Sequence, residues 1–296
     1  MTQIRFLAKT LGAEIAKHYS NPKAIPRQSR PAIVDSALDI RTCSRARESI
    51  TSWPTYAPTP LHNLPAFADE IGIAQLFYKD EATRLGLGSF KALGGAYAVL
   101  HSVAQEISVQ GSTATDIEAL MTGQLSEAAG EITVVTATDG NHGRSVAWGA
   151  RNVGCRCVIY MHAEVSPGRQ SAVAGQLVNI SVTRESVMAG LSCGEVSLLG
   201  WDILESGADH FLTIEDDAVG PLMKILAQGT GDDPRIVAGE AAVAGLAGCI
   251  ATYADTDLRQ TLDLNEQSTV LVFGTEGATD PTVYRQLVGS AADDLL

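Results

Sequence analysis

The stretch EITVVTATDGNHGRSVAWGARNVGCRCVIYM, at residues 131–161, predicts the fold class. Residues 131–137 are rich in valine, isoleucine and threonine, which is typical of a buried strand, and a glycine-containing turn follows at 138–143. Residues 144–154 predict a helix that ends at a glycine, and residues 155–161 predict a second strand. A strand, a helix and a strand in this order are typical of a βαβ unit, whose two strands run parallel in one sheet.

The same alternation extends on both sides of this unit. Before it, the pattern predicts a helix at 66–72, a strand at 74–79, a polar loop at 79–88 and a helix that begins at 89. After it, helices and strands are predicted at 191–207, 210–214, 216–229, 239–254, 268–273 and 281–289. We therefore predict an α/β fold with parallel sheets flanked by helices.

Two regions do not follow this pattern. Residues 1–52 contain several prolines and little periodicity, so they are interpreted as an irregular N-terminal extension. Residues 177–190 give neither a clear strand nor a clear helix.

The composition excludes several classes of partner. Of the 296 residues 45% are apolar, which suffices for one or two cores, and the net charge is -13. An acidic chain without clustered lysine and arginine does not suit nucleic acid or an anionic membrane. No apolar run reaches the length of a membrane span, and the N-terminal residues lack the apolar stretch of a secretory signal, so a cytoplasmic location is predicted.

The cysteines form an odd and scattered set: Cys43, Cys155, Cys157, Cys193 and Cys249. Their spacing does not match a metal site, and no histidine-rich segment accompanies them. We expect ordinary buried thiols and no metal.

The segment GSFKALGGAYAV, at residues 88–99, contains a single charge, that of Lys91. A lysine among such small and apolar residues either extends its amine to solvent along a helix or is buried for chemistry. Gly94 and Gly95 each weaken a helix by about 1 kcal/mol, so another part of the chain is expected to approach them closely.

Polar loops follow two of the predicted strands, TDGNHG at 138–143 and GTEGATD at 274–280. Ligands of parallel sheets bind beyond the C-terminal ends of the strands. If both loops meet the helix that carries Lys91, an amine, an amide and backbone N–H donors surround one cavity. This set suits pyridoxal phosphate, with Lys91 as the covalent amine, Asn141 at the ring hydroxyl and Thr275 at the ring nitrogen.

The same residues also have simpler interpretations. Asn141 suits a turn, Asp139 can begin that turn, and His142 can be an ordinary residue of the first helical turn. Arg84 and Asp80 can form an ion pair on the surface. The spacing of these residues leaves both interpretations open.

Four motifs add a resemblance to a known family: SFKALGGAYAV, TATDGNHGRSVAW, MAGLSCGEVS and VFGTEGATDP. Together they resemble the fold-type-II pyridoxal-phosphate enzymes, which are similar to the tryptophan synthase β chain. Asp139, YKDEATRLGLGSFK at 78–91 and GLSCGE at 190–195 make the sequence most similar to the diaminopropionate ammonia-lyases. The resemblance covers residues 53–175 and 185–290.

This resemblance implies a role for each candidate residue. Lys91 is the lysine that binds pyridoxal 5′-phosphate covalently, Asn141 lies beside the ring oxygen and Thr275 lies near the pyridine nitrogen. Asp139 lies at the substrate, where it acts as acid and base for one enantiomer. The two glycines of the same loop, Gly140 and Gly143, let the backbone approach the cofactor and the substrate carboxylate.

The reaction implied by the resemblance is the α,β-elimination of 2,3-diaminopropionate to pyruvate and ammonia by a homodimer. Two alternatives stay open. One is a related dehydratase that acts on serine or threonine. The other is a non-catalytic remnant of the family that binds a partner.

One part of the family pattern is missing from this sequence. Family members carry a glycine-rich phosphate loop between a strand and a helix, and no such motif lies between residues 161 and 210. We infer that a block of about a hundred residues is absent, with the junction at 176–185. The two-domain architecture is then incomplete, with a smaller subdomain at 92–175 and a larger one built from 53–91 and 185–290.

Overall fold

The fold is described by a computed structural model of the chain. The residues that it describes are 3–26, 29, 32–111, 115–138, 140–162, 176–180, 186–191 and 197–295.

The N-terminal region forms regular elements: α1 (Gln3–Leu11), β1 (Ile15–Ser20), α2 (Ala32–Ala37) and α3 (Ile40–Thr51). The interpretation of residues 1–52 as an irregular extension is therefore wrong. Ala8, Leu11 and Ala13 are buried in a core that they share with residues far along the chain. β1 takes its hydrogen bonds from a strand near residue 212, with His18 opposite Leu212. Pairing over such a sequence distance leaves no local periodic pattern to detect.

The elements of the next hundred residues are β2 (Leu61–Asn63), α4 (Pro65–Ile71), β3 (Gln75–Asp80), α5 (Lys91–Gly111), α6 (Ile117–Met121), α7 (Ser126–Gly130), β4 (Thr133–Ala137), α8 (Asn141–Val153) and β5 (Arg156–His162). The later elements are β6 (Gln176–Ile180), α9 (Leu198–Gly207), β7 (His210–Ile214), α10 (Val219–Gln228), α11 (Ala244–Ala254), α12 (Thr256–Thr261), β8 (Thr269–Gly274) and α13 (Pro281–Val288). The predicted helices and strands between residues 66 and 162 and beyond residue 197 are confirmed, with bounds that shift by a few residues.

The predicted βαβ unit is confirmed by a parallel sheet of order β4-β5-β6. Val135 of β4 lies opposite Val158 of β5, and Ile159 of β5 lies opposite Leu177 of β6. Four of the five residues of β6 belong to the stretch 177–190, for which neither a clear strand nor a clear helix was predicted, so that expectation is wrong there. β6 is defined by its pairing with β5, which the local sequence pattern does not reveal.

Two further sheets contain the other described strands. In the sheet of order β2-β3-β8, β2 is antiparallel to β3, and β3 is parallel to β8 with Tyr78 opposite Val272. β1 and β7 form a separate antiparallel pair. Among the described strands, β7 and β8 each pair with a single neighbour.

Two hydrophobic cores support these sheets. The first lies between α4, β3, α10, α11 and β8 and contains the fully buried residues Leu76, Leu222 and Leu246. The second lies between α5 and α8 and contains Leu100 and Val146. The predicted division into subdomains at 92–175 and 185–290 stays a prediction.

The close contact between α5 and α8 depends on the absence of a side chain at Gly95. A Cβ atom on Gly95 would lie 2.5 Å from Oγ of the fully buried Ser145. Ser145 Oγ bonds the backbone of the same turn of α5, accepting from Ala96 N–H and donating to the Ala92 carbonyl, both at 2.8 Å. The expected close approach is thus confirmed at Gly95. It is wrong at Gly94, because no described residue beyond its own helical turn has an atom within 4 Å of its Cβ position.

We predict opposite effects for two neighbouring substitutions in α5. Gly95→Ala should lower the free energy of unfolding by about 1–3 kcal/mol, because its methyl group forces the two helices apart. Gly94→Ala is the matched control in an exposed position and should raise that free energy by up to about 1 kcal/mol. Urea denaturation of both variants measures the difference, and equal effects would contradict the described packing.

Candidate active site

The loop before α5 and the loop after β8 are joined by a short antiparallel bridge, in which Ser89 is the partner of Glu276. Its two backbone hydrogen bonds run from Phe90 N–H to the Thr275 carbonyl (3.0 Å) and from Gly277 N–H to the Gly88 carbonyl (2.9 Å). The sequence-predicted meeting of these two loops is therefore confirmed. It brings the start of α5 to the C-terminal end of β8, where ligands of parallel sheets bind.

Lys91 is the first residue of α5 and is half-buried. Its backbone N–H donates to Ser89 Oγ at 3.1 Å, so Ser89 caps the start of the helix. Its amine Nζ donates to the carbonyl of Gly190 at 3.2 Å. The amine therefore turns toward the short segment around residue 190, which favours the chemical interpretation of this lysine over the solvent-directed one.

Glu276 carries a buried carboxylate, 3% exposed, that links three parts of the site. Its Oε2 accepts hydrogen bonds from Asn141 Nδ2 and from Thr279 Oγ1 (3.3 Å), and its Oε1 accepts from Ala241 N–H (3.2 Å). A Cβ atom on Gly190 would lie 3.5 Å from Glu276 Oε1. The Lys91 amine and the Asn141 amide thus reach one small region, the first through the Gly190 carbonyl and the second through Glu276.

The turn before α8 is held by the hydroxyl of Thr138. Its Oγ1 accepts from Gly140 N–H at 3.1 Å and from Gly143 N–H at 3.2 Å. Gly140 has φ 154° and ψ -84°, a conformation that favours glycine. Both glycines therefore shape the turn, and their contact with a cofactor stays a prediction.

Two further residues of this segment were considered from the sequence. Asp139 lies outside the described residues, so its acid–base role stays a prediction. His142 is exposed in the first turn of α8.

The hydroxyl oxygen of Thr275 is buried and has no hydrogen-bond partner among the described residues. A buried polar group without a partner costs about 1–3 kcal/mol. Such a group is expected where a ligand completes the site. The predicted contact of Thr275 with a pyridine nitrogen agrees with this position at the C-terminal end of β8.

A buried ion pair fixes the loop that leads from β3 to α5. Arg84 donates to both carboxylate oxygens of Glu81, at 2.7 and 2.9 Å, and to the Thr59 hydroxyl at 2.9 Å. Burial opposes the charge of Glu81, but the hydrogen bonds from Arg84 and Thr59 outweigh it and lower the pKa of this carboxyl. The expected surface pair of Arg84 with Asp80 is wrong, since Arg84 is buried and Asp80 lies 3.5 Å from His62.

A cleft of about 1000 Å³ opens beside the bridge and is lined by Gly88, Gly277, Thr279 and Arg144, among others. Burial lowers the pKa of the Arg144 guanidinium, while the charge of Glu276 raises it. The guanidinium forms no hydrogen bond or ion pair with the residues that the structure describes. A half-buried cation in such a cleft is available to an anion.

Sequence reasoning missed two of these residues. The sequence analysis assigns no role to Glu276, whereas its carboxylate is the common acceptor of the site in the structure. Its position between two glycines directly after a strand was the available signal. Arg144 was treated as part of a helix, and its sequence position one turn after Asn141 was the signal for it.

The thiols contribute little to this site. Cys43 is exposed, so the expectation of buried thiols is wrong for it, and Cys193 lies outside the described residues. Burial raises the pKa of Cys155 to about 11 and that of Cys249 to about 12, which keeps both protonated.

Within the described ranges, no three metal-binding side chains lie close enough together to hold an ion. The helices of these ranges are all too short or too polar to span a membrane.

The described residues fit one half of pyridoxal phosphate. The Lys91 amine and the unpartnered Thr275 hydroxyl suit the aldehyde and the ring nitrogen. Two backbone donors beside the site are not available to the phosphate half, because Gly277 N–H donates to the Gly88 carbonyl and Ala241 N–H donates to Glu276. The carboxylate of Glu276 would in addition repel a phosphate.

Several known proteins are similar to this chain in sequence and in fold. Residues 53–175 match the family model of pyridoxal-phosphate dependent enzymes. The diaminopropionate ammonia-lyase of Escherichia coli (strain K12) is 28% identical, over 79% of this chain and 87% of that protein. The crystal structure of the E. coli enzyme in complex with D-serine has a TM-score of 0.79 and 25% identity, over 93% of this chain and 97% of that one. The structure of threonine deaminase isoform 2 from Solanum lycopersicum has a TM-score of 0.58 at 12% identity, a likeness of fold alone.

The fold is that of the fold-type-II pyridoxal-phosphate-dependent enzymes. Within that class, the chain is similar to enzymes named diaminopropionate ammonia-lyase and is shorter than they are. The alignment with the E. coli enzyme is 354 positions long, which exceeds the 296 residues of this chain. Since 79% of 296 residues is about 234, about 120 aligned positions have no residue here. This chain is thus shorter than the aligned part of the relative, and the absence of a single block with its junction at 176–185 stays a prediction.

The buried pair of Arg84 and Glu81 gives a pH-dependent prediction. Arg84→Ala should lower the free energy of unfolding at pH 7 by about 3 kcal/mol, because it leaves a buried carboxylate without its cation. The pKa of Glu81 is lower in the folded protein than in the unfolded chain. The ion pair therefore stabilises the folded state fully at pH values above the unfolded pKa of about 4.3. This stabilisation is lost as the pH falls through the folded pKa. Urea denaturation from pH 7 to pH 3 measures the difference between the two proteins.

The difference between wild type and Arg84→Ala should shrink as the pH falls below about 4. Lys23→Ala removes an exposed pair with Glu205 and is the control, with little effect at any of these pH values. A difference that stays constant with pH would contradict the assignment of the effect to the Glu81 carboxylate.

Proposed function

We propose that this chain is a pyridoxal-phosphate-dependent ammonia-lyase, which converts 2,3-diaminopropionate to pyruvate and ammonia by α,β-elimination. The observation that carries this proposal is the convergence of Lys91 and Asn141 on the Gly190 and Glu276 region. The similarity to enzymes named diaminopropionate ammonia-lyase supports the choice of reaction.

Three side chains are proposed to hold the cofactor. The Lys91 amine binds it covalently, and the Thr275 hydroxyl accepts or donates at the pyridine nitrogen. The Asn141 amide has two N–H donors, of which one is used by Glu276 and the other is available for the ring oxygen. Glu276 is a positioning residue in this scheme, because it fixes the rotation of the Asn141 amide.

When bound, the pyridoxal ring accepts the electron pair that remains after the α-proton leaves. Asp139 is proposed to take that proton from one enantiomer of the substrate. The half-buried guanidinium of Arg144 is proposed to attract the substrate carboxylate into the cleft beside the bridge. Loss of the 3-amino group as ammonia then leaves an enamine, and its hydrolysis yields pyruvate and a second ammonia.

The substrate class follows from these charges. A small amino acid with a cationic side chain suits a cleft that offers Arg144 to its carboxylate and Asp80 to its amines. A homodimer and a cytoplasmic location remain part of the proposal, and the family resemblance is their support.

A serine or threonine dehydratase is the alternative reaction on the same site. It would be favoured if Asp139→Asn left activity on serine intact, because a hydroxyl side chain does not need the carboxylate. A non-catalytic remnant is the other alternative. It would be favoured if pyridoxal phosphate failed to raise the melting temperature, since a ligand of the folded state must stabilise it.

The test combines trapping with activity. The purified chain is incubated with pyridoxal phosphate, reduced with borohydride and mapped by peptide mass spectrometry. We expect the adduct on Lys91 and ammonia release from 2,3-diaminopropionate above that from serine. Lys91→Arg should abolish both, because a guanidinium does not form the covalent bond, while Lys79→Arg changes another half-buried lysine and should preserve both.

We also expect weaker cofactor binding than in the longer relatives. Each missing charge-assisted hydrogen bond to phosphate is worth about 1.5–3 kcal/mol, so the loss of two corresponds to a hundredfold or more in Kd. Adducts spread over exposed lysines, with none enriched at Lys91, would contradict the proposed function.

A further inference from the structure

A separate cavity, of about 650 Å³, lies between α3, α5 and α6. Its wall contains Ser49 of α3, Trp53 just after that helix, and His101 of α5. Ile117 and Met121 of α6 add an apolar side. The residues assigned above to the cofactor, and those that line the cleft beside the bridge, do not belong to this wall.

Three buried polar atoms of this wall have no hydrogen-bond partner in the part of the chain that the structure describes: Ser49 Oγ, Trp53 Nε1 and His101 Nε2. Six side-chain atoms of the described residues are of this kind, so half of them belong to one cavity wall. A buried polar group without a partner destabilises the folded state. Three such groups at one cavity indicate that a bound molecule supplies the partners.

The three groups define which polar atoms the bound molecule needs inside the cavity. Trp53 is 3% exposed, and its indole N–H can only donate. Burial lowers the pKa of His101, and the charge of Arg45 lowers it further, so at pH 7 the imidazole is neutral and its Nε2 can accept. An uncharged amide meets both needs, because its oxygen accepts from the indole and its N–H donates to the imidazole.

The rim of the cavity is acidic. Glu48, Asp116 and Glu118 contribute carboxylates to the described lining, and Arg45 contributes one positive charge. All four residues are exposed. Three negative charges against one positive charge attract a cation from solution and disfavour an anion. The cavity therefore suits a molecule with a cationic group at the rim and an uncharged amide inside.

We propose that this cavity binds a small organic cation that carries an apolar body and an uncharged amide group. The amide oxygen accepts hydrogen bonds from Trp53 Nε1 and Ser49 Oγ, and the amide N–H donates to His101 Nε2. The apolar body packs against Ile117 and Met121. Since the three polar atoms are enclosed, the molecule reaches them after small rotations of these side chains. This site is independent of the proposed function.

The probe is L-leucinamide, which is a cation with an apolar body and an uncharged amide. It is added to the full chain, and the indole N–H signals of the three tryptophans are followed by proton–nitrogen NMR correlation spectra. Tryptophan-to-phenylalanine variants assign the signals. We expect the Trp53 signal to shift downfield until it saturates, because its N–H gains an acceptor. The signal of Trp201, which lies outside the cavity on α9, should not change.

Two compounds of similar shape test the amide and the cationic group separately. Isoamylamine lacks the amide and should bind about threefold to tenfold more weakly than L-leucinamide, because it forms none of the inner hydrogen bonds. 4-Methylpentanamide lacks the ammonium group and should also bind more weakly. Its difference from L-leucinamide should shrink at high salt, because salt screens the charges of the exposed rim.

Ser49→Ala should raise the Kd of L-leucinamide about threefold to tenfold, because it removes one donor. Without the probe it should not lower the melting temperature, since the Ser49 hydroxyl has no partner to lose among the described residues. Ser52→Ala is the matched control. Ser52 lines the same cavity, but its hydroxyl already donates to the Ser49 carbonyl at 2.8 Å, so this variant should bind as the wild type does.

Three results would overturn the proposal. One is a Trp53 signal that none of the three compounds shifts, which would leave the cavity to water. Another is equal affinity for L-leucinamide and isoamylamine, which would contradict the contacts of the amide. The third is an unchanged Kd in Ser49→Ala, because the bound molecule would then not reach the inner wall.

Discussion

The buried carboxylate of Glu276 is the interaction on which the described site depends. It accepts hydrogen bonds from the start of α8, from the turn before α11 and from its own loop, and Asn141 lies 135 positions away from it in sequence. A buried charge is tolerated only when hydrogen bonds replace its hydration. The three donors are therefore held to Glu276, and through the bridge with Ser89 the start of α5 is held as well. This constraint carries Lys91 to the C-terminal end of β8.

Much of the fold could be predicted because it is encoded locally. The strands on either side of the TDGNHG turn have the composition of buried strands, and their parallel pairing follows from the intervening helix. Gly95 could be identified as a point of close contact because glycine weakens a helix, so its presence there indicates that another part of the chain approaches the backbone. Lys91, Asn141 and Thr275 could be identified because the sequence motifs around them resemble a family.

The rest of the structure depends on partners that are distant in sequence. β1 is a strand because of β7, β6 is a strand because of β5, and α1 is fixed by burial against α11 and α4. Arg84 could not be recognised as buried, because its charge suggests an exposed side chain and its covering groups come from residues 56–59. Glu276 could not be recognised for the same reason, since two of its three donors come from other parts of the fold.

The candidate site contains groups that the fold holds in place and donors that the fold has already used. Lys91 and Asn141 are positioned by contacts within this chain, through the Gly190 carbonyl and Glu276. Two backbone donors at the same place, Gly277 N–H and Ala241 N–H, already bond the Gly88 carbonyl and Glu276.

Hydrogen exchange at the bridge between α5 and β8 tests the central claim most directly. Phe90 N–H and Gly277 N–H are donors in this bridge, and both lie next to site residues. In the protein without added cofactor, we predict that both amides exchange much more slowly than they do in the unfolded chain. Exchange at the rate of unfolded peptide at these two amides, with β3 and α11 still protected, would show that Lys91 is not held at the end of β8.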